Sequence, residues 1–320
     1  MIATYLKNRF LRLLNLSLSP RISEDNQRNE QRSIRRLSSL KELDRVLQEV
    51  DAAAAISDDA MRKVFNTFEF SIDIACLPPD PFSETYKDFQ FGLYQKISGR
   101  EYHVANEMCD FANEKHIHVP FPYYTESFQT VSDHLLMLGL IIKELALPPK
   151  ASILEFGPGW GNTTLALAQM GYRITVIDIE QRYIDLIARR CHGLDNRPKL
   201  IQGDFAKVQD LVETFDAVLF YESFHHCSDH NELLRLLLNR LAPGGRVIFA
   251  AEPINEAFPM PWGVRLDGMS LWSIRRFGWL ELGFSEKYFL EALRRSGFKV
   301  EKKNYPVTAL GVIFVAHHAG

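Results

Sequence analysis

The sequence predicts an α/β fold built on a parallel sheet. From Ser152 onward, short apolar segments alternate with segments that favour helix, which is typical of strand–helix–strand units. The expected strands lie at residues 152–156, 172–177, 198–202, 217–221, 246–251, 299–303 and 309–316. The expected helices lie at residues 163–169, 182–191, 231–241 and 286–296.

Composition and charge indicate an ordinary globular protein. Of 320 residues, 46% are apolar and 24% are charged, and the net charge is −3. Enzymes that modify nucleic acids more often carry a basic surface, so we expect no nucleic-acid partner. No apolar run approaches the roughly 20 residues that cross a bilayer, and the N-terminal segment lacks a secretory cleavage pattern. The four scattered cysteines favour a reduced, cytoplasmic location.

The chain divides into three predicted segments. Residues 1–50 carry ten Lys/Arg against six Asp/Glu. They form either a helix that docks on a membrane surface or a protein, or a helix packed on the body and followed by a polar linker. Residues 51–130 are predicted to be a helical extension or lid, with an extended path at residues 119–124 because of two prolines. Residues 131–320 hold the α/β domain, whose first helix is expected from Ser132–Asp133 to Leu145.

A glycine-rich turn follows the first predicted strand. Residues 155–161 read Glu-Phe-Gly-Pro-Gly-Trp-Gly, and such a turn before a helix lets the backbone approach a nucleotide-like ligand. A dinucleotide site needs G-x-G-x-x-G, but position 162 is Asn162 and the third glycine is Gly161. The next predicted strand ends in an acid, Asp178. The spacing therefore points away from a dinucleotide.

Glu155, the three alternating glycines and Asp178 resemble motif I and its successor in class I S-adenosylmethionine (SAM) methyltransferases. A looser resemblance links the chain to bacterial methyltransferases of polysaccharide or secondary metabolism. The resemblance covers about residues 130–320. It implies a Rossmann-like, seven-stranded, mostly parallel sheet with helices on both faces, and SAM as the cofactor.

The resemblance also implies which residues hold SAM. Asp178 would accept hydrogen bonds from the ribose hydroxyls, Asp204 would bond the adenine amine, and Phe205 would cover the adenine ring. Two other interpretations stay open, in which Asp204 is a helix cap and Phe205 is a core residue. The complete set of expected cofactor residues is Glu155, Gly157, Gly159, Gly161, Asp178, Asp204, Phe205, Tyr123 and Tyr124.

The fourth predicted strand ends in a loop crowded with titratable groups, residues 221–230. In one interpretation His225 or His226 is a general base for a hydroxyl acceptor, with Glu252 after the fifth strand as another candidate base. In a second, Glu222, His225 and His226 hold a divalent ion such as Mg²⁺ or Mn²⁺. Glu-x-x-His-His is similar to the Glu-x-x-Glu-His of ubiquinone-pathway O-methyltransferases and small-RNA 2′-O-methyltransferases. In a third, the histidines are structural.

An insertion after the fifth strand concentrates tryptophan and arginine. Aromatic faces stack on sugars, and arginine binds carboxylate or phosphate, so the insertion predicts a sugar or glycan acceptor that carries an acidic group. The expected acceptor residues are Trp262, Arg265, Arg275 and Arg276. The alternative is a lid in which the tryptophans pack and the arginines face solvent.

These patterns together predict a SAM-dependent O-methyltransferase that acts on a hydroxyl of a sugar or glycan-type acceptor. A small-molecule N- or C-methyltransferase and a catalytically silent SAM-binding module are the alternatives. Residues 221–224 lack the Asn/Asp-Pro-Pro-Tyr of amino methyltransferases that act on bases. Cys227 lacks the preceding proline expected of a C5-pyrimidine methyltransferase nucleophile.

Overall fold

A computed structural model describes residues 34–72, 74–108 and 116–319. Its strands are β1 (Arg35–Leu37), β2 (Phe68–Phe70), β3 (Ser152–Phe156), β4 (Arg173–Asp178), β5 (Lys199–Gln202), β6 (Phe215–Tyr221), β7 (Leu241–Ala250), β8 (Ile254–Asn255), β9 (Trp262–Val264), β10 (Leu282–Ser285), β11 (Phe298–Asn304) and β12 (Val312–His318). Its α-helices are α1 (Leu40–Ile56), α2 (Asp58–Phe65), α3 (Glu84–Ser98), α4 (Phe128–Leu145), α5 (Asn162–Gln169), α6 (Gln181–Arg190), α7 (His230–Leu238), α8 (Gly268–Phe277) and α9 (Glu286–Arg295). Short 3₁₀ helices include Val104–Glu107, Tyr123–Thr125 and Phe224–His226.

Seven strands form the central sheet, in the order β11-β12-β7-β6-β3-β4-β5. The strands from β7 to β5 are parallel, and β12 and β11 add an antiparallel edge. Strand β6 is buried along most of its length because helices cover both faces of the sheet. Helices α4, α5 and α6 pack on one face, and α7 and α9 pack on the other. The predicted α/β fold with a seven-stranded, mostly parallel sheet is confirmed.

The N-terminal extension and the insertion share one apolar core. Trp272 of α8 is fully buried, its ring contacts Phe65 of α2, and its Nε1 donates to Asp51 of α1 at 3.2 Å. Gln90 of α3 accepts a hydrogen bond from the Val264 amide of β9 at 3.1 Å. The insertion also forms elements that the sequence does not predict, namely helix α8 and a small sheet in the order β8-β10-β9.

Some boundaries differ from the sequence prediction. Helix α4 begins at Phe128 rather than at Ser132, because Ser127 caps it by accepting the Thr130 N–H at 3.2 Å. The expected extended path at residues 119–124 runs into a 3₁₀ helix at Tyr123–Thr125. The predicted segment boundaries after residues 50 and 130 fall inside α1 and α4.

Residues 1–33, which carry most of the predicted docking segment, lie outside the described residues. In the rest of that segment, β1 pairs in parallel with β2, and α1 begins at Leu40. Among the described helices, none combines the length and the apolar character needed to cross a bilayer.

Replacing Trp272 by Ala is expected to lower the free energy of unfolding by about 3–5 kcal/mol, because it opens a cavity between the extension and the insertion. Chemical denaturation measures this loss. Val212→Ala is the matched control, since Val212 is 88% exposed, and it should change the free energy of unfolding by less than about 0.5 kcal/mol. If Trp272→Ala behaves like the control, the two segments do not share a core.

Candidate active site

A cavity of about 360 Å³ lies where the central strands end. Its wall includes Phe156 at the end of β3, Asp178 at the end of β4, Gly203 after β5 and Glu222 after β6. The carboxyl ends of parallel strands meet at one edge of a sheet, which is where α/β folds bind ligands. The cavity is therefore the candidate active site.

The glycine turn forms one side of this cavity. Gly157 and Gly159 line it, and both have positive φ, 59° and 53°. A Cβ at Gly157 would lie 2.8 Å from the Ser223 Cβ, so the loop after β6 can close on the turn only when residue 157 is glycine. Gly161 does not line the cavity; a Cβ there would meet Ile187 of α6 at 2.4 Å. Two glycines therefore shape the cavity, and the third allows helix packing.

Two aspartates face the same end of the cavity. Asp178 is mostly buried and lines the wall, and its carboxylate accepts the Glu180 N–H at 2.8 Å and the Gly159 N–H at 3.4 Å. Asp204 also lines the wall and accepts the Ala206 N–H at 3.0 Å, so it caps a 3₁₀ helix as well. Phe205 lines the cavity beside it.

Glu155 lies behind the glycine turn rather than in the cavity. It is 2% exposed, and its carboxylate accepts a hydrogen bond from the Thr164 hydroxyl at 2.5 Å, which ties β3 to α5. Burial raises the pKa of Glu155 to about 7, and the charge of Asp178 acts in the same direction, while the Thr164 hydrogen bond opposes both.

Glu107, Glu222 and His226 also line the cavity, and we define this part of its wall as one end. His226 Nδ1 lies 3.2 Å from a carboxylate oxygen of Glu107, which belongs to the N-terminal extension. Glu222 has a positive φ of 52°, and its carboxylate lies 3.9 Å from His134 Nδ1. Nδ1 of His134 is also 2.6 Å from the Tyr221 hydroxyl. This end therefore presents two carboxylates and one imidazole.

His225 points away from the cavity and is fully buried. Its Nδ1 lies 2.8 Å from a carboxylate oxygen of Glu252. The same carboxylate accepts the backbone N–H groups of Ser223, Phe224 and His225 at 2.8, 2.9 and 3.2 Å. Burial lowers the pKa of His225 to about 4, the His226 charge lowers it further, and Glu252 opposes both. His225 and Glu252 thus hold the loop after β6 in place without being part of the cavity wall.

Glu281 and Arg265 lie next to His225, away from the cavity wall. A carboxylate oxygen of Glu281 is 3.8 Å from His225 Nε2 and 3.8 Å from Arg265 Nη1. Ligand atoms of His225, His226 and Glu281 all lie within 4.8 Å of one another. The expected trio of Glu222, His225 and His226 does not form such a group among the described residues, because Glu222 lies on the His134 side of the loop.

The family model for a methyltransferase domain matches residues 153–245. This range contains the glycine turn, Asp178, Asp204 and the loop after β6, all of which contribute residues to the cavity wall. Residues 153–245 are therefore similar to a methyltransferase domain, and they contain nearly all of β3, β4 to β6 and the start of β7 from the seven-stranded sheet, together with helix α7.

Curated relatives match part of the chain. Dimethyladenosine transferase of Candida glabrata is 27% identical over 116 residues, which are 36% of this chain and 37% of that protein. Nodulation protein S of Rhizobium tropici is 33% identical over 129 residues, 39% of this chain and 52% of that protein. Ubiquinone biosynthesis O-methyltransferase of Xanthomonas oryzae pv. oryzae is 29% identical over 106 residues, 31% of this chain and 42% of that protein. The matches therefore span between about a third and a half of these relatives.

Similar solved structures are also methyltransferases. Glycopeptide N-methyltransferase MtfA is 17% identical with a TM-score of 0.45, over 58% of this chain and 90% of that chain. 1,6-Didemethyltoxoflavin-N1-methyltransferase of Burkholderia thailandensis is 19% identical with a TM-score of 0.43, over 66% of this chain and 92% of that chain.

The tyrosines expected to close over SAM, Tyr123 and Tyr124, are not in the wall of the cavity. Tyr124 packs against Trp160, His116 and Phe121, and Tyr123 is 39% exposed. Tyr183 of α6 lines the cavity instead. No local pattern in the sequence distinguishes Tyr183 from the other apolar residues of its amphipathic helix.

The four residues expected to bind the acceptor are not in the wall of this cavity. Trp262 is 2% exposed and donates to the Pro81 carbonyl at 2.7 Å. Arg275 pairs with Asp44, and Arg276 pairs with Asp51, so both join the insertion to the extension. Arg265 pairs with Asp267 at 3.0 Å behind the site. Trp262, Arg275 and Arg276 therefore serve the packing of the two segments, and Arg265 pairs within the insertion.

Tyr102, Glu107 and Trp279 also line the cavity, and the sequence assigns none of them to the site. Trp279 belongs to the tryptophan-rich insertion, but nothing distinguishes it from Trp262, which is a packing residue. Glu107 accepts the Leu280 N–H at 2.8 Å, so it is held by the insertion. No signal near Glu107 in the sequence marks it, since the contact crosses more than half of the chain.

The free energy of unfolding of wild type is expected to fall as the pH rises because of Glu155, and Glu155→Gln is expected to lack this decrease. With its pKa raised to about 7 in the fold, Glu155 keeps its proton there while the unfolded chain releases it from about pH 4.5 upward, so wild-type stability falls toward pH 7. Between about pH 5 and pH 8, the variant should gain about 2 kcal/mol relative to wild type.

Denaturation curves of the ligand-free protein at the two pH values measure this gain. Glu84→Gln, which removes an exposed carboxylate at the start of α3, is the matched control and should follow wild type. A constant difference between Glu155→Gln and wild type at both pH values would contradict the raised pKa.

Proposed function

We propose that this chain transfers the methyl group of SAM to a hydroxyl of an uncharged sugar or glycan-type acceptor. The carrying observation is that one cavity joins a cofactor end, with Gly157, Asp178 and Asp204, to an acceptor end, with Glu107 and Glu222. A donor and an acceptor bound in one enclosed space meet at the high effective concentration that group transfer needs.

At the cofactor end, the methyltransferase domain supplies the groups that SAM requires. The turn at Gly157 and Gly159 offers close backbone approach, and Asp178 offers a carboxylate to the ribose hydroxyls. Phe205 offers an aromatic face to the adenine. The sulfonium of SAM is cationic, and this charge suits a cavity whose wall contains six Asp or Glu residues and no Lys or Arg among the described residues.

At the acceptor end, the partly buried ring of Tyr102 can stack on the C–H face of a sugar, whereas Trp279, which is 2% exposed and stacked on Phe277, supports the wall. Glu107 and Glu222 can accept hydrogen bonds from hydroxyl groups and orient one oxygen toward the sulfonium methyl. That oxygen gains the methyl group, the C–S bond breaks to release S-adenosylhomocysteine, and the hydroxyl proton is released. The same carboxylates would repel an acidic acceptor, so the proposed acceptor lacks the acidic group that the insertion predicts from its arginines.

A second candidate is N-methyl transfer to an amine-bearing acceptor. The carboxylates at the acceptor end also suit a cationic amine before it loses its proton. The relatives include a dimethyladenosine transferase and a ubiquinone biosynthesis O-methyltransferase, so they are compatible with both types of acceptor.

Asp178→Asn is expected to weaken binding of S-adenosylhomocysteine by about tenfold or more, because charged hydrogen bonds to the ribose are lost. Isothermal titration calorimetry gives the dissociation constants. Asp185→Asn, on the exposed face of α6 in the same region, is the matched control and should bind like wild type. Equal affinity in the two variants would exclude Asp178 as a cofactor residue.

Glu107→Gln is expected to lower kcat/KM for the acceptor by about tenfold or more while S-adenosylhomocysteine binding stays unchanged, because only the acceptor end loses a charged hydrogen bond. Gln still accepts the Leu280 N–H, so the fold is preserved. The substrates are a panel of glycosides with a hydroxyl, a hydrogen or an amine at matched positions. Turnover of each glycoside is measured as the release of S-adenosylhomocysteine.

Glu101→Gln, an exposed change in the same segment, is the control for this assay. Turnover of hydroxyl glycosides only would support the proposal, and turnover of amino glycosides only would favour N-methylation. Binding of S-adenosylhomocysteine without turnover on any glycoside of the panel would contradict the sugar acceptor.

A further inference from the structure

We propose that His225, His226 and Glu281 bind a divalent transition-metal ion directly behind the part of the cavity wall that His226 lines. Their ligand atoms lie within 4.8 Å of one another, close enough for one ion to contact all three after small side-chain adjustments. Glu281 immediately precedes β10 in the insertion, and the two histidines lie in the loop after β6. This site does not depend on the acceptor's identity.

The first argument is the state of the Glu281 carboxylate. Glu281 is fully buried, and neither of its carboxylate oxygens accepts a hydrogen bond within the described residues. Its nearest charged neighbours, His225 and Arg265, are 3.8 Å away, which is too long for a hydrogen bond. A buried carboxylate without such partners is costly, and a bound cation would remove that cost.

The second argument is the orientation of His225. Glu252 holds its Nδ1 at 2.8 Å, so Nδ1 carries the proton when the ring is neutral and Nε2 presents its lone pair. Nε2 is buried without a hydrogen bond in the described residues and lies on the Glu281 side. A carboxylate that orients a histidine in this way is the usual support of a histidine that ligates a metal.

The third argument is the local charge. Glu107, Glu252 and Glu281 are buried or nearly buried around the two histidines, and the nearby cation is Arg265. Arg265 already pairs with Asp267. Among the described residues in these contacts, three carboxyl groups therefore surround the histidines beside one arginine, and a divalent ion would compensate the charge of those that are ionised.

The ligand types indicate which ion fits. Two imidazole nitrogens and one carboxylate suit Zn²⁺ or Mn²⁺ better than Mg²⁺ or Ca²⁺, which prefer oxygen ligands. His226 also lines the cavity, so the ion would lie beside the acceptor hydroxyl. An ion with a position open to the cavity could bind and polarise that hydroxyl.

The test counts the metal on full-length protein. Wild type and variants are stripped with EDTA, exposed separately to Zn²⁺, Mn²⁺ or Mg²⁺, and desalted, and bound metal is measured by inductively coupled plasma mass spectrometry. The variants are Glu281→Gln, His226→Ala and the control Glu222→Gln, which removes the ligand expected from the sequence. We expect about one equivalent of Zn²⁺ or Mn²⁺ in wild type and in Glu222→Gln, and loss of metal in the other two.

If wild type retains no metal ion after desalting, the proposal is overturned. It is also overturned if Glu222→Gln loses the metal while Glu281→Gln retains it. Titration of S-adenosylhomocysteine on the same samples shows which variants are folded. If Glu281→Gln is unfolded because the substituted position is buried, His226→Ala takes its place as the test variant. Failure of wild type to bind S-adenosylhomocysteine would contradict the proposed methyl transfer instead, while the metal count would still stand.

Discussion

The buried carboxylate of Glu252 fixes the geometry on which the rest of the site depends. It accepts the backbone N–H groups of Ser223, Phe224 and His225 and holds the ring of His225. Without it, three buried amides of this loop would lack partners. The Ser223 hydroxyl in turn donates to the Phe156 carbonyl at the glycine turn. The Glu252 carboxylate, after β7, therefore positions both the loop after β6 and the contact of that loop with the glycine turn.

The central sheet could be predicted because its information is local. Strands β3 to β7 are apolar runs bounded by turn residues, and each alternates with a helix whose own pattern is clear. The small sheet of the insertion could not be predicted in this way. Its strands are two, three and four residues long, too short for a period to appear, and its pairing joins segments separated in the chain. Its stability comes from packing on the extension.

The residues of the candidate site also differ in whether local sequence information could predict them. Gly157, Asp178 and Asp204 follow strands that the sequence identifies, so their common edge could be inferred from topology alone. The acceptor residues could not, because an arginine that binds a ligand and an arginine that pairs with a distant aspartate look alike in sequence. Arg275 is of the second type, since its partner Asp44 lies 231 positions away. Only the tertiary contacts distinguish these two cases.

The acceptor end is therefore a single unit assembled from three parts of the chain. Glu107 of the extension contacts His226 through one carboxylate oxygen and holds the Leu280 amide of the insertion through the other. Trp279, the residue before Leu280, lines the same wall. A change in the packing of the extension on the insertion would move Glu107, Trp279 and Glu281 together, while the glycine turn and Asp178 would keep their places on the sheet. Glu107 and Trp279 thus come from segments outside residues 153–245, which match a methyltransferase domain, whereas the glycine turn and Asp178 lie inside that range.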